Sequence, residues 1–384
     1  MSNFIFITLL AAFPALSTDM YLPALPVIQG QMGVPLATVN LSLILFFVFF
    51  SFFLLVFGPL SDRFGRRSVL FYGIGIYIAG SLLCALSQSI WLLVVARVIQ
   101  AAGAASASAL AMALAKDVYT GVERQKVLAH LGVIIPLCPM FAPLIGSVIL
   151  EYFSWNWIFV CQAVLASWAL YGTIVFKEPD FERTTGNVWN VIARYAAVLR
   201  NTQFSTYCFT FSFMGIGFFA FIAGSADIYI LKFGLSEQEY ALLFGFNALG
   251  FMSGSFLCSR LCVEWFPMEI LRGSLFGILL SSIAMSLFGN TVLLFAVTMF
   301  LMTFSIGVSR PVSNHMILET VDTDVGTASS ILTFTYFMLG AFAMQFISFD
   351  WPAKTTVIGE MGIAAGIIPL VAVLMIMRRN TGLR

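Results

Sequence analysis

Two charged residues interrupt long apolar stretches in the first half of the sequence. Asp19 lies in an apolar run that begins at Phe4, and Arg97 lies in a later run. An aspartate deep in a membrane costs about 2.5–3.5 kcal/mol on insertion scales, so a chain that keeps one generally uses it. The chemistry open to such a carboxylate is reversible binding of a proton. We therefore predict that Asp19 couples proton movement to transport across a membrane.

Arg97 is predicted to lie at the same depth as Asp19, because each is about two turns from the outer end of its helix. A neighbouring guanidinium favours the charged carboxylate and offsets its burial. Such a pair would respond to a proton or to a cationic substrate, so we assign both residues to proton coupling. The alternative is a static ion pair that joins two helices.

Other polar and aromatic residues within apolar runs are candidates to line a substrate cavity. They suit lipophilic guests through stacking, cation–π and hydrogen-bond contacts. The alternatives are packing for the aromatic residues, hydration for Asp227, and extension of Arg310 to the membrane surface. The candidate set is Tyr21, Gln100, Asn247, Arg310, Tyr336 and Asp227.

A short polar segment between the second and third apolar runs is predicted to be a conformational latch. Gly65 permits a tight turn. Asp62 can pair with Arg66 or meet the positive N-terminal end of a neighbouring helix. Contacts of this kind can form in one state and break in another, whereas the alternative is an anchor of positive charge alone. The latch comprises Gly58, Asp62, Arg63, Gly65, Arg66 and Arg67.

The fifth apolar run carries several residues that bend helices or allow them to pack closely. Each proline removes a backbone donor and kinks the helix, and glycine permits close contact between helices. We predict a gate here, with tolerated kinking as the alternative. The residues are Gly132, Pro136, Pro139, Pro143 and Gly146.

Composition places the whole chain in a membrane. Of the 384 residues, 60% are hydrophobic and 10% are charged, against about 25% charged residues in soluble domains. A net charge of +1 disfavours nucleic acid as a partner. The six cysteines lie in or beside apolar runs, which indicates neither disulfides nor a metal site. We expect no cofactor.

Twelve apolar runs predict an all-α polytopic membrane protein, with twelve transmembrane helices in two six-helix bundles. The predicted domains are an N-terminal bundle (1–176), a cytoplasmic linker with an amphipathic helix (177–204) and a C-terminal bundle (205–384). The two bundles repeat weakly, since Ser17–Leu22 resembles Ser225–Ile230. The predicted runs are 4–25, 37–59, 68–88, 91–114, 127–150, 154–176, 205–231, 239–261, 268–288, 291–316, 326–347 and 356–377.

Positive charge predicts the orientation of the chain. Of the 19 lysine and arginine residues, only Lys232 and Lys354 fall on the side opposite the termini, and Arg97 and Arg310 lie within helices. Because cytoplasmic loops carry the excess of positive charge, both termini and the linker are predicted to be cytoplasmic. The location is then the bacterial cytoplasmic (inner) membrane, with a multi-pass topology.

The motifs resemble those of the major facilitator superfamily. Gly58–Arg67 resembles its G-x-L-x-D-R-x-G-R-R signature, Arg97–Gly103 its span 4 R-x-x-Q-x-x-G motif, and Pro139–Gly146 its span 5 antiporter motif. Thr18–Pro26 is similar to the span 1 signature of the Bcr/CflA branch of drug:proton antiporters. The resemblance implies a two-bundle fold with a central cavity. It also implies export of small molecules in exchange for protons, with Asp19 as the membrane-embedded acid and Arg97 as the span 4 arginine.

The predicted function is a monomeric, proton-coupled secondary transporter that exports small, largely apolar compounds by alternating access, as in multidrug efflux. Its partners are the small-molecule substrate, protons and the lipid bilayer. The alternative is a dedicated exporter or importer of one metabolite, such as a siderophore, sugar or amino acid. An intramembrane enzyme is disfavoured, because His130 and His315 are the only histidines and neither H-E-x-x-H nor G-x-S-x-G occurs.

Overall fold

The structure, a computed structural model, describes residues 3–178 and 188–381. All regular secondary structure in these residues is helical, and twelve helical spans are long and apolar enough to cross a membrane. The predicted fold class is confirmed. Residues 179–187 of the predicted linker, with Arg183, and residues 382–384 lie outside the described part of the chain. Spans 1 to 6 are Asn3–Met32, Leu36–Phe64, Arg66–Ala85, Ile90–Val118, Gly121–Tyr152 and Asn156–Val175. Spans 7 to 12 are Thr202–Lys232, Glu237–Leu261, Pro267–Phe288, Val292–Leu318, Val325–Ile347 and Lys354–Met377.

The chain forms two compact units, Met1–Val191 and Ile192–Arg384. In the first unit, span 4 packs against spans 1, 2 and 3, while span 3 also packs against span 6 and span 1 against span 5. In the second unit, span 10 packs against spans 8 and 9, span 9 against span 12, and span 7 against span 11. Most of the helix pairs of the first unit therefore recur in the second, as the weak sequence repeat suggested.

Span 1 is longer than predicted and is made of three segments. A helix over Asn3–Asp19 is followed by a 3₁₀ turn over Leu22–Ala24 and a second helix over Leu25–Met32. The sequence predicted an end near residue 25, close to Pro23 and Pro26. Those prolines instead open new helical segments, where the missing amide hydrogen is not needed. The span ends at Gly33, which adopts a left-handed conformation with φ of 61°.

Short polar residues fix where several spans begin. The Ser89 side chain accepts from the Leu92 amide at the start of span 4, and the Thr291 side chain accepts from the Leu294 amide at the start of span 10. Each cap satisfies one of the amide groups that a helix N-terminus leaves free. These two capping residues therefore fix where spans 4 and 10 begin.

The predicted amphipathic helix is present over Val188–Arg200. Arg194 forms an ion pair of 3.5 Å with Asp324, in the segment between spans 10 and 11. Immediately after the helix, the Asn201 side chain donates a hydrogen bond to the Thr320 carbonyl at 2.8 Å. These contacts attach this end of the linker to the second unit.

Candidate functional site

The site is built around the break in span 1. At this break the Tyr21 amide donates to the Thr18 carbonyl, three residues back, and the Ala24 amide donates to the Tyr21 carbonyl. An α-helix would bond the Tyr21 amide to the Ser17 carbonyl, four residues back. The tighter turn therefore frees the Ser17 carbonyl for partners from other spans.

Arg97 of span 4 forms a hydrogen bond with that carbonyl. Its Nη1 donates to the Ser17 carbonyl at 2.9 Å and to Gln100 Oε1 at 2.5 Å. The side chain is fully buried. Carbonyl and amide oxygens, rather than a carboxylate, thus surround this end of the guanidinium.

Aromatic rings enclose the rest of the Arg97 guanidinium. Its central carbon lies 4.2 Å from the Phe46 ring centre, 4.9 Å from that of Tyr21 and 5.8 Å from that of Phe159. Such contacts contribute about 2 kcal/mol or more when desolvated. The predicted cavity residue Tyr21 is instead part of this packed enclosure, since it is buried and hydrogen-bonded to Ser42 at 2.8 Å.

A chain of amide side chains extends the same network to span 6. Gln100 donates to Ser81 Oγ at 2.7 Å and to Gln162 Oε1 at 2.8 Å. Gln162 in turn donates to the Leu16 carbonyl at 3.0 Å. Sequence reasoning missed Gln162, although a long amide inside an apolar helix was the available signal. Spans 1, 3, 4 and 6 are joined here by buried polar contacts.

Asp19 ends the first helical segment of span 1 and is 6% exposed. The Thr18 hydroxyl donates to its Oδ1 at 2.9 Å. No ion pair to Asp19 occurs within residues 3–178 and 188–381. The predicted pairing with Arg97 is therefore wrong in this structure. Its physical reason is the break, which offers Arg97 the Ser17 carbonyl as an acceptor.

Span 5 packs against span 1 next to Asp19 in the sequence. A Cβ atom at Gly146 would overlap the Met20 carbonyl, so only glycine allows the two backbones to approach this closely. At Gly132, by contrast, no described atom lies within 4 Å of such a Cβ atom. The helix Gly121–Tyr152 continues through Pro136, Pro139 and Pro143.

The predicted pairing within the turn between spans 2 and 3 is confirmed. Arg66 forms an ion pair of 2.6 Å with Asp62 and a second of 3.1 Å with Asp117, at the end of span 4. Arg67 donates to the Thr173 carbonyl at the end of span 6 at 3.2 Å. Gly65 has a φ of 95°, a conformation that glycine adopts readily.

The remaining turn residues contribute less to these contacts. The Arg63 guanidinium lies 5.3 Å from the Phe64 ring centre. A Cβ atom at Gly58 would meet no described atom within 4 Å. Arg66 and Arg67 are therefore the residues that tie the turn to spans 4 and 6.

In the second unit, the candidate residues fall into separate groups. Asp227 forms an ion pair of 2.5 Å with Lys354, and both side chains are largely buried, at 19% and 15% exposed. Asn247 donates to the Leu243 carbonyl of its own helix at 2.9 Å. Arg310 lies over the Tyr336 ring, with its central carbon 3.4 Å from the ring centre. Asp227 thus has the basic partner that Asp19 lacks.

Comparisons with known proteins identify the class of molecule. Residues 7–344 match the family model described as Major Facilitator Superfamily. A chloramphenicol resistance protein of Pseudomonas aeruginosa is 27% identical, covering 85% of this chain and 78% of the relative. A bicyclomycin resistance protein homolog of Haemophilus influenzae is also 27% identical, covering 88% of each chain. The solved structure of the nucleoside transporter NupG has a TM-score of 0.75 and 8% identity, covering 97% of this chain and 99% of that one.

Proposed function

Because this chain belongs to the major facilitator superfamily, we propose that it is a proton-coupled exporter of small, largely apolar compounds. It is a multi-pass membrane transporter of small molecules and not an enzyme. The proposal adds the direction of transport, the coupling ion and the kind of substrate. It also includes a monomeric protein in the bacterial inner membrane, with both termini in the cytoplasm.

One observation carries the proposal: Asp19 is buried in span 1 and forms no ion pair with a described residue. An ionised carboxylate in a membrane costs about 2.5–3.5 kcal/mol, and protonation removes that cost. Asp227, at the corresponding position of the sequence repeat, has its charge offset by Lys354. Asp19 is therefore the better proton carrier of the two.

Arg97 takes a positioning role in this mechanism. It holds the Ser17 carbonyl at 2.9 Å and so fixes the turn beside Asp19. Binding of a proton to Asp19 and binding of substrate exclude each other, so protonation from the outer side releases the substrate and couples the two flows. A proton that moves through 100 mV gains about 2.3 kcal/mol, enough for roughly a fiftyfold gradient of a neutral substrate.

The two relatives support the kind of substrate. One is a chloramphenicol resistance protein and the other a bicyclomycin resistance protein homolog, and each aligns with most of this chain. Export of a toxic compound is the transport reaction that confers resistance. We extend that reaction to this chain on the strength of the shared family and the membrane-embedded acid.

The latch and the gate complete the proposal. Arg66 and Arg67 join the turn after span 2 to spans 4 and 6, so a change in these contacts would alter the cytoplasmic end of the bundle. Gly146 lets span 5 approach the break in span 1 beside Asp19. In alternating access, the bundles 1–176 and 205–384 would move about the linker 177–204.

Transport by inside-out vesicles with an imposed proton gradient tests the role of Asp19, with radiolabelled chloramphenicol as the probe. In the Asp19→Asn variant we expect uphill accumulation to fall from about fiftyfold to near equilibrium. Exchange of labelled for unlabelled probe should persist, since that reaction needs no net proton movement. Uphill accumulation by the variant at the wild-type level would refute the proposal.

The second acid of the repeat provides a matched control. The double variant Asp227→Asn, Lys354→Gln removes both charges of the pair, so neither is left buried alone. We expect it to retain uphill accumulation. Loss of coupling in this variant, with coupling retained in Asp19→Asn, would move the proton site to the second unit.

A further inference from the structure

A second guanidinium lies in the C-terminal unit, on the partly buried side chain of Arg310. Arg310 in span 10 forms no ion pair with any carboxylate in the described part of the chain. Its Nη1 atom is buried and has no hydrogen-bond partner there. A guanidinium carries five N–H donors and stays charged in proteins. Arg310 therefore offers a positive charge and free donors.

The Arg310 side chain is held in place by an aromatic platform. Its central carbon lies 3.4 Å from the centre of the Tyr336 ring in span 11. Phe219 of span 7 packs edge-on against that ring, with ring centres 5.0 Å apart. A Cβ atom at Gly215 would overlap the Tyr336 ring, so span 7 leaves the space that the ring fills. The guanidinium is thus preorganised rather than mobile.

A free acceptor accompanies the free donor. Asn314 lies one turn after Arg310 in span 10, and its buried Oδ1 also lacks a hydrogen-bond partner among the described residues. Residues four apart in a helix share one face. Buried polar groups without partners are costly, and a bound ligand is one way to supply the missing contacts.

Two simpler explanations fit less well. If Arg310 extended to the membrane surface, its terminal nitrogens would be solvated, but Nη1 is buried. If it served only to stack on Tyr336, its buried Nη1 would remain without an acceptor. An anion from outside the protein satisfies both the charge and the donors.

We propose that Arg310 binds the carboxylate of an anionic, largely apolar substrate. The carboxylate accepts from the free edge of the guanidinium, whose face remains on Tyr336, and Asn314 Oδ1 accepts from a donor group of the same substrate. Planar pairing of carboxylate with guanidinium is the strongest contact that this side chain makes. The inference rests on the proposed export function and adds compounds that carry an acid to its neutral substrates.

Calorimetric binding to the detergent-purified full chain tests the charge preference. The probes are 4-phenylbenzoate and its methyl ester, which share an apolar body and differ in charge. We expect the acid to bind the wild type at least about tenfold more tightly than the ester. Arg310→Gln should abolish that difference, and Arg310→Lys should keep part of it. Equal binding of acid and ester to the wild type would overturn the proposal.

Two controls separate this proposal from others. Arg260→Gln removes an exposed guanidinium that lies over Phe256 in span 8, and the acid should keep its advantage in that variant. A loss as large as that in Arg310→Gln would show that the preference is non-specific and would overturn the assignment. Uphill accumulation in vesicles measures proton coupling, whereas calorimetry measures anion binding. Failure of proton coupling and failure of anion binding are therefore read by different measurements.

Discussion

At the scale of single residues, the partner of a buried charge depends on local backbone geometry. The Arg97 guanidinium bonds to the Ser17 carbonyl, whereas the Asp19 carboxylate accepts from the Thr18 hydroxyl. The carbonyl is available only because the helix tightens at Tyr21. Sequence could identify both charges and their approximate depth, because these follow from counting along apolar runs. It could not identify the partner, because the turn depends on how spans 4 and 6 pack against span 1.

Gln162 carries the clearest prediction at this scale. It bonds to Gln100 and to the Leu16 carbonyl, so Gln162→Leu leaves a buried carbonyl with one partner fewer. We expect a loss of about 1–2 kcal/mol in the free energy of unfolding of the first unit. For a unit of this size, the melting temperature should fall by about 2–4 °C per kcal/mol. Thermal unfolding of the purified protein, followed through thiol exposure, measures the change.

An exposed glutamine of span 5 is the control for that variant. Gln125 lies near the start of the helix Gly121–Tyr152. Gln125→Leu should change the free energy of unfolding by less than about 0.5 kcal/mol. If Gln162→Leu were equally neutral, the amide network would not hold span 1, and the positioning role of Arg97 would lose its support.

At the scale of helices, span 5 shows which glycines of a sequence motif are needed for contact with a neighbouring helix. The sequence placed Gly132 and Gly146 together in one gate, but only Gly146 lies against another backbone. The three prolines are accommodated within one continuous helix. Glycines look alike in sequence, and only the neighbouring helix decides which of them has no room for a side chain. Span 1 is a second example, since its prolines Pro23 and Pro26 lie at the starts of helical segments within the span.

The two glycines make a matched pair of variants. Gly146→Ala would force the Met20 carbonyl away from span 5, so we expect transport to fall at least about tenfold through movement of the turn beside Asp19. Gly132→Ala has free space and replaces a poor helix former, so the free energy of unfolding should rise by up to about 1 kcal/mol without loss of transport. Initial rates of chloramphenicol uptake and thermal unfolding measure both effects. Equal transport by the two variants would contradict a role for the close contact at Gly146.

At the scale of the whole molecule, the number of spans and the repeat were predictable because both depend on simple periodic features. Apolar runs of about 20 residues are needed to cross a bilayer, so their count gives the topology. Most of the helix pairs of one unit recur in the other, as the matching segments at Asp19 and Asp227 suggested. Sequence could not predict that Asp227 would have a basic partner, because Lys354 reaches it from a helix far along the chain.

The distribution of positive charge leads to a prediction about orientation, and Cys262 provides the means to test it. This cysteine is exposed at the end of span 8, next to Arg260, on the side that carries the excess of lysine and arginine. Because that side is predicted to be cytoplasmic, a membrane-impermeant maleimide should label Cys262 in inside-out vesicles and leave it unlabelled in intact spheroplasts. Cys262→Ser should remove the difference between the two preparations, which controls for the other five cysteines. Labelling in spheroplasts alone would invert the topology, and with it the direction in which a proton taken up by Asp19 could drive transport.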